Sequence, residues 1–227
     1  MKMNRIILKI FIIIFIFGGH SLFASSAASA LLVQIKEVAN DLLNRGDISY
    51  AWGGREVHSD SSSRHCLACQ SCLEKKSPKP KKQLLACPIC RGCSLDCSHF
   101  IKKVFNSAGI PVPYLTTSDM LSISDKRLES MGYIRLAATA DIKPADLLVY
   151  RGHVVLVEEV RKRGMGDVVH ATSGKEVKGP GQGVQRARYV DLKHFRGPVL
   201  AILRLKKLMG RQPTKKYKFR HIPGRKM

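Results

Sequence analysis

At 227 residues the chain has room for one catalytic domain with an insertion or a tail, and not for two full domains. Its 39 Lys and Arg against 17 Asp and Glu give a formal charge of +22, which favours polyanionic partners and disfavours basic ones.

The chain opens on charged residues, Lys2 and Arg5, followed by an apolar run broken only by Lys9 and uninterrupted from Ile10 to Phe17. Small residues from Ala24 to Ala30 offer cleavage points such as Ala28-Ser29-Ala30. That order predicts a secretory signal over residues 1–30 and an exported protein, periplasmic or extracellular. The clean run is shorter than the roughly 20 residues that a membrane span needs. No cysteine follows until Cys66, so lipid attachment beside the cleavage point is not expected.

Leu31, Leu32, Ile35, Val38, Ala39, Leu42 and Leu43 recur at helical spacing and predict a helix over 31–44, ended by Gly46. A short aromatic segment, Tyr50-Ala-Trp-Gly-Gly54, then closes in a glycine turn. From Arg55 to Ser94 aliphatic residues become scarce and six cysteines appear, which predicts an insertion rather than core. Core-like sequence resumes at Leu95. Phe100, Ile101, Val104 and Phe105 predict a helix over 98–108, followed by Gly109. Strands are expected at 146–150, 153–160, 167–171 and 199–205. The sum is an α+β domain with helices packed on an antiparallel sheet.

Cys97 stands just before the 98–108 helix, where free N–H groups and the helix dipole lower a thiol pKa. A cysteine nucleophile also needs a base for its proton and a third group to orient that base. His153 opens one strand and His170 lies near the end of the next, so antiparallel pairing brings the two together. Cys97 is therefore the candidate nucleophile, His153 the base and His170 the orienting residue. His99, two residues after Cys97, faces another side of the helix, and His58 and His65 belong to the insertion.

The ordered set Tyr50-Ala-Trp-Gly-Gly, Asp96-Cys97-Ser98, Gly109-Ile-Pro-Val-Pro113, Lys143-Pro-Ala-Asp-Leu147, His153-Val-Val and His170 resembles the NlpC-type family of cell-wall cysteine peptidases. The likeness covers residues 31–205 apart from the insertion. It implies a papain-like fold and cleavage of peptidoglycan stem peptides, often between D-glutamate and the diamino acid, by a Cys97-His153-His170 triad. It also implies that Tyr50 lines the site and that Asp96 and Ser98 bind the free amine of the stem peptide. An Asp suits an ammonium through a charge-assisted hydrogen bond, although Asp96 is equally placed to cap the helix. Two departures bear on specificity: His99 stands where the family usually has Gly, and the insertion separates Gly54 from Asp96, which are close in the family.

Cys66, Cys69 and Cys72 are answered by Cys87, Cys90 and Cys93. Two C-x2-C pairs at this separation match a zinc site, while export favours disulfides. A third reading, an iron-sulfur run from Cys87 to Cys97, consumes the nucleophile. The zinc and disulfide readings stay open from the sequence, and either makes the insertion a stapled lobe. Catalysis needs no cofactor. Alternatives to the peptidase are a papain-like amidase or acyltransferase on another substrate, or a non-catalytic metal or redox module.

The segment 204–227 holds ten Lys or Arg and no Asp or Glu, so 206–227 reads as a basic tail. Besides peptidoglycan, the expected partners are an anionic wall polymer or membrane surface, ahead of nucleic acid. No oligomeric state is implied.

Overall fold

The computed structural model describes residues 27–57, 63–173 and 183–209. Helix α1 spans 27–44, so it begins before Leu31 and includes Ala28-Ser29-Ala30. The rest of the predicted signal, His58 and the tail beyond Met209 lie outside the described residues. On α1, Ile35, Ala39 and Leu42 are buried at the expected one-sided spacing. Gly46 then adopts φ +65°, the left-handed conformation that ends a helix. No described helix is long and apolar enough to cross a membrane.

A three-stranded sheet follows, made of β1 (Ser49–Tyr50), β2 (Arg55–Val57) and, after the lobe, β3 (Cys93–Leu95). β3 lies centrally, parallel to β1 and antiparallel to β2. The turn between β1 and β2 crosses β3 so closely that a Cβ on Gly54 would stand 2.8 Å from the Ser94 carbonyl carbon and 2.9 Å from the Ala51 oxygen. Both ends of the predicted 55–94 insertion are therefore paired strands, and the lobe is what lies between them.

The lobe contains α2 (Ser63–Lys76), the short α3 (Gln83–Ala86) and a 3-10 turn over Pro88–Gly92. Three disulfides join it, Cys66–Cys93, Cys69–Cys90 and Cys72–Cys87. A sulfur bonded to sulfur is not a thiolate ligand, so Cys66, Cys69, Cys72, Cys87, Cys90 and Cys93 do not form the zinc site that their spacing also matched. The physical reason is the helices. Steps of three place Cys66, Cys69 and Cys72 on one side of α2. The 3-10 turn, with three residues per turn, aligns the opposing cysteines in reverse order. Five of the six cysteines, with Ala51 and Leu73, are fully or almost fully buried and form a small core of their own. The cystines thus supply the packing that the scarce aliphatics cannot. Three disulfides are consistent with an extracellular or otherwise oxidising location.

The main body comprises α4 (Cys97–Ser107), α5 (Thr117–Ser122), α6 (Asp125–Ser130) and strands β4 (Tyr133–Leu136), β5 (Leu147–Tyr150), β6 (His153–Val160), β7 (Met165–Thr172), β8 (Gly183–Asp191) and β9 (Ala201–Leu205). The six strands form one antiparallel sheet in the order β4-β9-β5-β6-β7-β8, confirming the α+β class. Leu147-Leu-Val-Tyr150 and Val154-Val-Leu-Val157 lack apolar-polar alternation because both faces of the sheet are covered. One face, with Leu147, Val149, Val154, Leu156 and Val169, packs under α1 and α4. The other, with Leu148, Tyr150, Val155 and Val168, packs against Leu192 and Val199.

One ion pair ties the sheet together. Asp146, fully buried, receives Arg204 through both carboxylate oxygens, at 2.7 and 2.8 Å. It also accepts the Lys143 N–H at 2.7 Å, closing the Lys143-Pro-Ala-Asp turn. Arg204→Met leaves this carboxylate buried without its cation and is expected to cost about 3 to 5 kcal/mol, read from urea melts.

Candidate active site

β3 delivers the chain directly into α4, and Asp96 between them is the N-cap. Its Oδ1 accepts the His99 backbone N–H at 2.8 Å and lies 3.0 Å from His99 Nδ1, while Oδ2 accepts the Gly53 N–H at 3.2 Å. The carboxylate therefore fixes both the helix start and the Trp52–Gly53 turn, the capping role that its position permits. Of about four acceptor positions on a carboxylate, three are engaged.

Cys97 follows as the first residue of α4, 6 % exposed, and it is the one cysteine outside the disulfides. Its thiol meets the backbone of Val154 and lies 4.0 Å from Ser98 Oγ. The helix start predicts a lowered thiol pKa, yet the thiol is raised. Burial is the largest cause, and the Asp96 charge adds to it, outweighing the hydrogen bonds from Val154 and Ser98 that favour the thiolate. At neutral pH Cys97 therefore rests as a protonated thiol.

His153 opens β6 after Gly152, which adopts φ +72° to complete the β5–β6 hairpin. Leu156 pairs with Val169 across β6 and β7, and continuing that register makes His153 and His170 diagonal neighbours. Their rings meet with His153 Nε2 2.8 Å from His170 Nδ1. His170 is fully buried and lies edge-on to Phe195 at 5.5 Å. Burial holds both imidazoles well below their ordinary range. His170 adds to this for His153, and the Arg196 charge does so for both. Two neutral rings share a single proton across this contact. When His153 donates from Nε2, its Nδ1 is left with the lone pair that a base requires.

The structure thus joins the predicted histidine pair. Cys97 makes no hydrogen bond to the His153 ring among the described residues, and the link between them runs through Val154, the residue next to His153. Tyr50 lies in β1 opposite Leu95, two residues before Cys97, and is half-buried against the main core. Ser98 is buried beside the thiol.

Tyr114 escaped notice in the sequence. It follows the Gly109-Ile-Pro-Val-Pro113 motif directly, and its ring stacks on His99 at 3.9 Å. Its hydroxyl is pushed up to about 12, first by burial and then by the Asp96 and Cys97 charges, so it stands near Cys97 as a neutral donor. His99, a poor base from its place on the helix, therefore supports Tyr114 and Asp96. Arg196 is a second residue missed. It donates from Nη2 to Thr172 at 2.8 Å, and its charge is felt by both histidines. No residue spacing links Arg196 to the site, because a loop after β8 brings it there. His65, assigned to the insertion, does serve it, with Nε2 3.2 Å from the Ile89 carbonyl.

Among the described residues no group of three or more His, Cys, Asp or Glu side chains is placed to hold a metal ion. Compared with known proteins, the chain matches no family model and no curated protein.

Proposed function

We propose that the protein is an exported cysteine endopeptidase of the NlpC type with a papain-like catalytic domain, hydrolysing amide bonds in peptidoglycan stem peptides. The observation that carries this reading is the His153–His170 contact at 2.8 Å, closed one residue from the Val154 backbone that touches the Cys97 thiol. In the reaction, Cys97 Sγ passes its proton to His153 Nδ1 as sulfur bonds to the scissile carbonyl carbon. The C–N bond then breaks and the amine leaves with that proton. Water, deprotonated by the same imidazole, cleaves the thioester to a carboxylate and restores the thiol. His170 fixes the orientation of the His153 ring through Nε2, and the first N–H groups of α4 stabilise the oxyanion. Asp96 has one acceptor position left for a substrate ammonium, with Ser98 and Tyr50 nearby.

Purified peptidoglycan incubated with wild type and with Cys97→Ala, followed by mass analysis of soluble fragments, tests the assignment. Fragments carrying a new amine are expected from wild type alone, and equal release by both proteins overturns the reading. Loss of cleavage after acetylation of the stem-peptide amine supports the Asp96 role.

A further inference from the structure

Two adjoining cavities are lined by none of Cys97, His153 and His170. One, of about 630 Å³, is bordered by the end of α1, β2 and the outward side of α4. The other, of about 570 Å³, is bordered by the Trp52–Gly53 turn, β2 and the disulfide lobe. Arg55 and Glu56 line both, so the cavities adjoin as two chambers of one trough. Its walls carry Arg45, Arg55, Lys81, Arg91, Lys102 and Lys103 against one carboxylate, Glu56. Arg45 is paired with Asp47 at 3.2 Å, whereas the other five cations make no ion pair among the described residues. Like charges gathered on concave walls focus a positive potential and repel one another until an anion enters.

The second chamber is also apolar. Trp52 is 50 % exposed and Leu85 75 % exposed on its border, although both are large hydrophobic residues. The backbone N–H of Trp52 donates to Gln83 Oε1 of the lobe at 2.7 Å, which ties the turn that carries the indole to the lobe. An open aromatic face beside unpaired cations suits a ring that is apolar on its face and anionic at its edge.

We propose that this trough binds a linear anionic polysaccharide, with Arg55, Lys102 and Lys103 holding carboxylate or phosphate groups and the Trp52 indole lying against a sugar ring. Two adjoining concave chambers fit a chain rather than a flat lipid surface. The three disulfides favour an oxidising compartment, where sugar polymers are the polyanions at hand. The proposal does not depend on the reaction at Cys97.

Trp52 is the only tryptophan in the chain, so its emission reports on the trough directly. The full-length protein is titrated with polygalacturonate, with dextran phosphate and with uncharged dextran of similar length. At low salt a shift in Trp52 emission is expected with either or both of the charged polymers and none with dextran, weakening as salt rises. Arg55→Glu and the double variant Lys102→Glu/Lys103→Glu are expected to lose at least about tenfold in affinity, read by anisotropy of labelled polymer, with unchanged thermal melts. Binding by the basic tail alone leaves these variants equal to wild type and overturns the proposal. So does a lack of emission change with both charged polymers, or tighter binding of oligothymidylate or phosphatidylserine vesicles than of either polysaccharide.

Discussion

Replacing His153 by Gln is expected to lower kcat on a stem-peptide substrate by about two to four orders of magnitude while leaving the fold intact, because the proposed general base is lost. His170 acts through His153, and its substitutions separate positioning from packing. Gln at 170 retains a hydrogen-bonding group for His153 Nε2 and is expected to keep activity within about tenfold. Leu leaves that buried nitrogen unpaired and frees the ring to turn, at a cost of about a hundredfold or more in kcat with little change in KM. Equal losses for His170→Gln and His170→Leu would mean that the contact is not an orienting one. The same pair predicts a pH dependence of stability. Both imidazoles are held below the unfolded value of 6.5, so the unfolded chain binds more protons as acidity rises. Their contribution is complete above pH 6.5 and is lost as pH falls towards about 3 for His170 and about 2 for His153. Thermal melts of wild type are therefore expected to fall more steeply between pH 7 and 4 than those of His153→Gln/His170→Gln.

The elements that build this site were legible in proportion to how strongly one physical signal dominated them. The α4 periodicity placed Cys97 at a helix start, and the turn before His153 marked the start of β6. Pairing of β6 with β7 then followed from chain order. β8 was missed because Gln185, Arg186 and Arg188 interrupt the apolar residues of Gly183-Val-Gln-Arg-Ala-Arg-Tyr-Val-Asp191 and most of the strand is only partly buried or exposed, which leaves no run to detect. Tyr50 and Leu95 pair through strands of two and three residues, too short for any period. The thiol pKa was misjudged because a helix start can be read from sequence and the depth of burial cannot. The zinc reading failed on a real degeneracy, since x2 spacing serves a tetrahedral site and a helix stripe equally well. What breaks it is the 3-10 turn after Pro88, which sets three cysteines in line rather than around a point.

That alignment leads to a second large effect. Removing any one of the three disulfides is expected to cost about 3 kcal/mol, since each closes a loop of 15 to 27 residues. For a chain of this size that is a fall of about 6 to 12 °C in Tm. The three are not equivalent for catalysis. Cys72–Cys87 joins the far end of α2 to the start of the 3-10 turn, away from Cys97 in the chain. Cys66–Cys93 instead anchors β3, and Cys93 stands four residues before Cys97 on a strand that also aligns Ser94 and Leu95 with β1 and β2. Loosening β3 displaces the Asp96 cap and the thiol with it. The double variants Cys72→Ser/Cys87→Ser and Cys66→Ser/Cys93→Ser are therefore expected to show similar losses in Tm. Only the second is expected to lose activity by tenfold or more below its melting point, with faster alkylation of Cys97 as the thiol becomes exposed. Retained activity in both would show that the lobe stabilises the fold without holding the nucleophile.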